Sequence, residues 1–252
     1  MKFRCIFILI LVVSLTKVSA QETHHSFQGL ELEVSGGQSE NFDLFQQSGK
    51  KFLTEKSLQT RGLSLSYLFP VWEKWSLKAG LKGAMFYYPI RSENIEPPYL
   101  DTPYAFKSNI FQENSYSLGA NAHIMRFFPL TSSLNLTAEF GAGLDFFLSK
   151  SNGTSKMGKL SDDDDEYILH TNVIDDSDNG PVANISLGFA FNKIFYRKHL
   201  IGLNFYCQHA FADVKDIDYE FQLNDPYVSE GSIQFSPSVY GISLGYTFLF
   251  KR

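Results

Sequence analysis

The chain has 252 residues, of which 44% are hydrophobic and 15% aromatic, and carries a formal charge of −5. The acidic balance argues against nucleic-acid partners. Beyond residue 20 no stretch is long and apolar enough for a spanning helix, but a mean hydropathy of −0.14 leaves membrane barrels open, because alternating strands average out.

Residues 1–20 read as a cleaved signal peptide. Lys2 and Arg4 form the positive start, residues 6–15 a short apolar run, and Val18, Ser19 and Ala20 a small-residue cleavage site before Gln21. Removing Lys2, Arg4 and Lys17 with this segment shifts the formal charge from −5 to −8. Cys5 leaves too, so Cys207 stands alone and no intramolecular disulfide is expected. Residues 21–252 are then expected to form a single barrel domain.

Alternating stretches follow one another along that domain. In 29–36, Leu30, Leu32 and Val34 oppose Glu31, Glu33 and Ser35. A polar connection over 38–59 leads to 62–69, where Leu63, Leu65, Tyr67 and Phe69 oppose Gly62, Ser64 and Ser66. A tight connection at 70–74 precedes 75–85, with Trp75, Leu77, Ala79 and Leu81 opposite Lys78, Gly80 and Lys82. Residues 88–113 contain Pro89, Pro97, Pro98 and Pro103 and read as a non-strand segment.

Strand character returns over 115–125, with Tyr116, Leu118 and Ile124 opposite Ser117, Gly119 and His123. After a short turn with Pro129, residues 134–148 set Leu136, Phe140, Leu144 and Phe146 against Asn135, Thr137, Glu139 and Asp145. The connection over 149–181 is acidic and rich in Gly, Ser and Asn, and reads as a solvated loop. Strands over 183–191 and 200–211 are joined by a short turn at 192–199, and a connection over 213–231 leads to the last strand. There, over 238–250, Tyr240, Ile242, Leu244, Tyr246, Phe248 and Phe250 alternate with Gly241, Ser243, Gly245 and Thr247.

About eight strands result, joined by connections that are alternately long and short. Outer-membrane barrels have short periplasmic turns and long external loops. The expected fold is therefore all-β, an antiparallel up-and-down transmembrane barrel in the outer membrane, with both mature ends on the periplasmic side. Phe69, Trp72, Trp75, Phe127, Phe128, Phe195, Tyr196, Phe248 and Phe250 cluster at the short turns and read as an interfacial girdle. Glycines on the polar face leave room for larger inward groups in a lumen only wide enough for side chains.

The short turn F-P-V-W-E-K-W-S-L-K-A-G-L at 69–81 and the ending G-I-S-L-G-Y-T-F-L-F at 241–250, with the leader, resemble the small outer-membrane barrels of Bacteroidetes called PorT-like, and more distantly the barrel domain of OmpA. The resemblance spans nearly the whole mature chain and is architectural. It implies outer-membrane lipid and the barrel assembly machinery as partners, with an envelope or secretion protein as a further one.

Glu31, Glu33, Lys78, Lys82, Glu139 and Asp145, with His123 nearby, are expected to face the lumen as a structural polar network, since buried charges need partners. Asp162, Asp163, Asp164, Asp165 and Glu166 form a carboxylate run that is a weak candidate for cation binding without EF-hand spacing. His209 falls at the external rim, where Ala210 and Phe211 replace the H-x-S pattern of lipid-hydrolysing barrels. No H-E-x-x-H, paired C-x-x-C or P-loop pattern occurs, and no catalytic residue, cofactor or metal is expected. The function expected is a non-enzymatic barrel with a filled lumen and long surface loops. The alternatives are a barrel enzyme acting on membrane lipid and a secreted soluble barrel holding an apolar ligand.

Overall fold

Strict alternation gives each long strand one greasy and one polar face, and closing the sheet on itself puts the polar face inside. The structure, a computed structural model, describes residues 27–39, 42–46, 53–55, 58–92, 108–148, 154–162, 165–175, 180–196, 198–213, 215–223 and 227–251. Over these it contains β1 (Gln28–Ser39), β2 (Phe42–Gln46), β3 (Leu53–Glu55), β4 (Leu58–Trp72), β5 (Trp75–Ser92), β6 (Ser108–Pro129) and β7 (Leu134–Phe147). Next come β8 (Thr154–Asp162), β9 (Asp165–Asp175), β10 (Pro181–Phe195), β11 (His199–Ala210), β12 (Lys215–Leu223), β13 (Tyr227–Phe235) and β14 (Val239–Lys251).

Eight of these strands close into an antiparallel ring, β1-β4-β5-β6-β7-β10-β11-β14, and β14 pairs back onto β1. The seam is long: Glu31 stands opposite Thr247, and the register holds to Gln38 opposite Tyr240. Closure satisfies every ladder internally, which is what a sheet must achieve to cross a bilayer. The outer wall matches that environment. Leu81 is 69% exposed, Trp72 64% and Leu63 55%, in a continuous apolar belt that includes Leu32, Leu118, Phe140, Leu203, Ile242 and Leu244. An exposed belt of this extent belongs against lipid rather than water.

Three expectations from the sequence are corrected. The proline-bearing segment is partly strand: β5 runs to Ser92 and β6 starts at Ser108, with Pro89 opposite Gln112. Pro89 is tolerated because the β4 ladder ends at Gln59↔Tyr87 and β3 begins only at Glu55↔Ile90, so it falls in a gap along that edge. Secondly, the connections over 149–181 and 213–231 are not irregular. They hold the hairpins β8–β9 and β12–β13, which join β2 in a separate five-stranded sheet, β2-β13-β12-β9-β8. The β12 segment alternates Ile217, Tyr219, Phe221 and Leu223 with Asp216, Asp218, Glu220 and Gln222, a strand pattern in its own right.

Thirdly, Phe127 leaves the girdle. It points inward and is 1% exposed, in a cluster with Phe27, Leu68, Met125, Ile194, Leu200 and Leu249. The lumen-facing positions are therefore apolar near the short turns, although they are polar further along the same strands. Those turns are tight: Trp72 pairs with Trp75 across Glu73-Lys74, with Lys74 at φ 65°, and Tyr196 takes φ 48° in the β10–β11 turn.

Candidate functional site

The lumen is filled in layers. At the short-turn end Phe27, just before β1, packs edge-on against Phe127 with ring centroids 4.7 Å apart. Its backbone is pinned to Ser76: the Phe27 amide donates to Oγ at 3.2 Å, and that hydroxyl donates to the Phe27 carbonyl at 3.3 Å. A residue outside the ring thus stoppers it from below.

An ionic layer follows. Lys78 Nζ lies 2.9 Å from Glu139 Oε2, 3.2 Å from Glu31 Oε1 and 3.3 Å from Glu33 Oε2, so one ammonium stands among three carboxylates. Thr247 donates to Glu31 Oε2 at 3.0 Å, and His123 Nδ1 stands 3.6 Å from Glu139. Gly141 makes room for that imidazole, since a Cβ there would stand 2.6 Å from His123 Cγ. Lys78 is 3% exposed and Glu139 5%, so the buried ammonium depends on the carboxylates gathered around it.

Above it, Lys82 Nζ bridges Asp145 Oδ2 at 2.9 Å and Gln208 Oε1 at 3.0 Å, and Asn184 donates to the same Asp145 oxygen at 2.8 Å. These groups border a cavity of about 100 Å³, whose lining includes Ser35, Asn121, Asn204 and Tyr206, with Phe86 and Val239. A volume of this order holds a few waters, and the polar lining offers them partners. All seven lumen residues named from the sequence are therefore inward, five in the cluster that includes Lys78 and two in the Lys82–Asp145 pair. The alternation could not show how Lys78 and Lys82, close together on one strand face, divide the carboxylates between them.

Of the acidic run, Asp162 pairs with Asp165 across the tip of the β8–β9 hairpin, whereas Asp163 and Asp164 lie outside the described residues, as do the side chains of Asp162, Asp165 and Glu166.

The rim holds a contact that local sequence did not reveal. His209 Nδ1 lies 3.4 Å from Ser238 Oγ, and Ser236 Oγ is 3.0 Å from Ser238 Oγ. The serine lies 29 positions from the histidine in sequence, so an H-x-S search misses it. Ser238 is 1% exposed, and its hydroxyl accepts the Ala210 amide at 3.0 Å. That makes it a backbone cap between β11 and β14, closed to an ester carbonyl. A second motif also needs its context: residues 241–245 spell G-x-S-x-G. Ser243 lies in mid-strand on β14, faces the lumen and is 3% exposed, where a nucleophile elbow needs a strand-to-helix turn.

A closed eight-stranded antiparallel ring with an apolar outer wall and a filled polar interior defines an outer-membrane-type β-barrel. That class rests on the chain's own geometry. Compared with known proteins, the sequence matches no family model and no curated protein. Among solved structures, the outer membrane protein OprG from Pseudomonas aeruginosa aligns with a TM-score of 0.47 and 13% identity, over 89% of this chain and 97% of that one. A major outer membrane protein from Thermus thermophilus aligns with a TM-score of 0.36 and 12% identity, over 88% of this chain and 99% of the other. The Yersinia pestis outer membrane protein Ail gives 0.28 and 14%, over 88% and 99%.

Proposed function

We propose that this chain is a non-enzymatic outer-membrane barrel whose interior is structural fill and whose working surface is the long-connection end. The carrying observation is the stacked fill: the Phe27–Phe127 stopper and the Lys78 layer occupy successive depths of one narrow lumen. In this reading Glu31, Glu33, Lys78, Lys82, His123, Glu139 and Asp145 hold the wall together from inside. The five-stranded sheet of β2, β8, β9, β12 and β13 is the surface offered to an envelope, adhesion or secretion partner, because variable function sits on segments carried by a rigid scaffold. Residues 1–20 serve as the export leader and 21–252 as the barrel domain, a client of the barrel assembly machinery, within the PorT-like group that the two quoted motifs resemble.

Planar-bilayer recording of the refolded chain tests the fill. The expected result is no steady conductance, and a large, steady current overturns the reading. Against the lipid-enzyme alternative, Ser238, the serine within reach of His209, is buried and already holds the Ala210 amide. Against the soluble-carrier alternative, the chamber above Lys78 is lined largely by Ser, Thr, Asn and charged groups.

A further inference from the structure

Among the described residues, the outer wall at the short-turn end carries two cations, Arg126 and Lys193, that no carboxylate pairs. Arg126 faces outward from β6, and its guanidinium carbon sits 5.2 Å from the Trp75 ring centroid and 5.1 Å from that of Phe128. Lys193 faces outward from β10, with Nζ 5.2 Å from the Phe195 ring centroid. Lys74 and Lys198 occupy the adjoining turns. In the barrel strands, Glu31, Glu33, Glu139 and Asp145 are the carboxylates with described side chains, and all four turn inward. Among the described residues neither Arg126 nor Lys193 has a carboxylate partner.

We infer that this rim binds the anionic headgroups of the phospholipid leaflet it meets, with Arg126 and Lys193 as the phosphate contacts. A cation on a lipid-facing wall needs compensation, and headgroup phosphates supply it at this depth. The aromatic rings hold each charged group against the wall through cation–π contact, which leaves the N–H donors directed outward. A guanidinium in contact with two rings is restrained, and its planar fork suits paired bonds to a phosphate. A neutral protein surface with the same aromatics would anchor the barrel at the interface without distinguishing one headgroup from another.

The chain supplies its own probe. Its two tryptophans, Trp72 and Trp75, both stand at this rim, so intrinsic tryptophan fluorescence reports on this place alone. The full chain is refolded into phosphatidylcholine vesicles that carry, at equal mole fraction, either phosphatidylglycerol or phosphatidylcholine brominated near the headgroup. The quantity read is the ratio of the two quenching constants. A ratio clearly above one at low salt is expected, up to about fivefold for one fully engaged cation, falling toward one as salt rises. The double variant Arg126→Gln, Lys193→Gln is expected to bring the ratio to one, with a heat-modifiable gel shift showing that its barrel has formed. A parent ratio of one at low salt overturns the inference, as does a preference that survives in the folded double variant. If the double variant does not fold, the salt series on the parent decides alone.

Discussion

Two depths of one lumen solve the same packing problem with opposite chemistry. Both the Phe27–Phe127 stopper and the Lys78 layer fill the inside of the same ring. The apolar depth fills its space by dispersion and area burial. Its members act locally, and each can be trimmed at the cost of the cavity it leaves. The ionic depth is different, because its charges are tolerable only together. Removing one member strands the others, whereas replacing them jointly need cost little. The comparison teaches that the polar layer is the more brittle part of the fill.

Lys78→Ala is expected to show the largest effect. It leaves Glu31, Glu33 and Glu139 facing one another without their shared cation and should cost about 3–5 kcal/mol, read as a shift in the urea midpoint of the heat-modifiable form. Adding Glu31→Leu, Glu33→Gln and Glu139→Leu to Lys78→Met should recover most of that loss, and a quadruple variant as unstable as Lys78→Ala would erase the contrast between the two depths. Phe27→Ala comes next, at about 3 kcal/mol, the low end for such a truncation because Phe27 precedes the first strand and its backbone can adjust. That variant should still pass no steady current, since the ionic layer above remains. Smallest is Gly141→Ala, at about 1–2 kcal/mol, where the added methyl must push His123 away from Glu139. The NMR shift of the His123 ring should move in this variant and stay unchanged in Phe27→Ala.

The strands themselves were largely legible. Alternation over 134–148 and 238–250 corresponds to β7 and β14 within one residue at each end, because one face meets lipid and the other the lumen along the whole length. The extensions were harder. Past residue 87 the prolines argued against strand, but β5 and β6 support each other there, and Pro89 falls in the gap between the β4 and β3 ladders on the other side. The hairpins in the long connections were hidden by composition: Asp162 and Asp165 pair as strand residues where the acidic run read as a solvated loop.

For the lumen, polarity pattern and contact are separate questions. Period-two alternation says that Glu31, Lys78 and Glu139 face inward. It is silent on which carboxylates meet which lysine, because that depends on the stagger of strands distant in sequence. The same blindness hid Phe27, which lies before any alternating stretch, and Ser238, which reaches His209 only once β14 lies beside β11. Local alternation was enough to set the strand rhythm, the greasy outer wall and the inward placement of the charges. It took the closed ring to stopper the lumen with phenylalanines at one end and to hold one lysine among three carboxylates above them. The same closure brought the serine cap of β14 to the end of β11. Those outcomes depend on closure and register, which no local window of sequence contains.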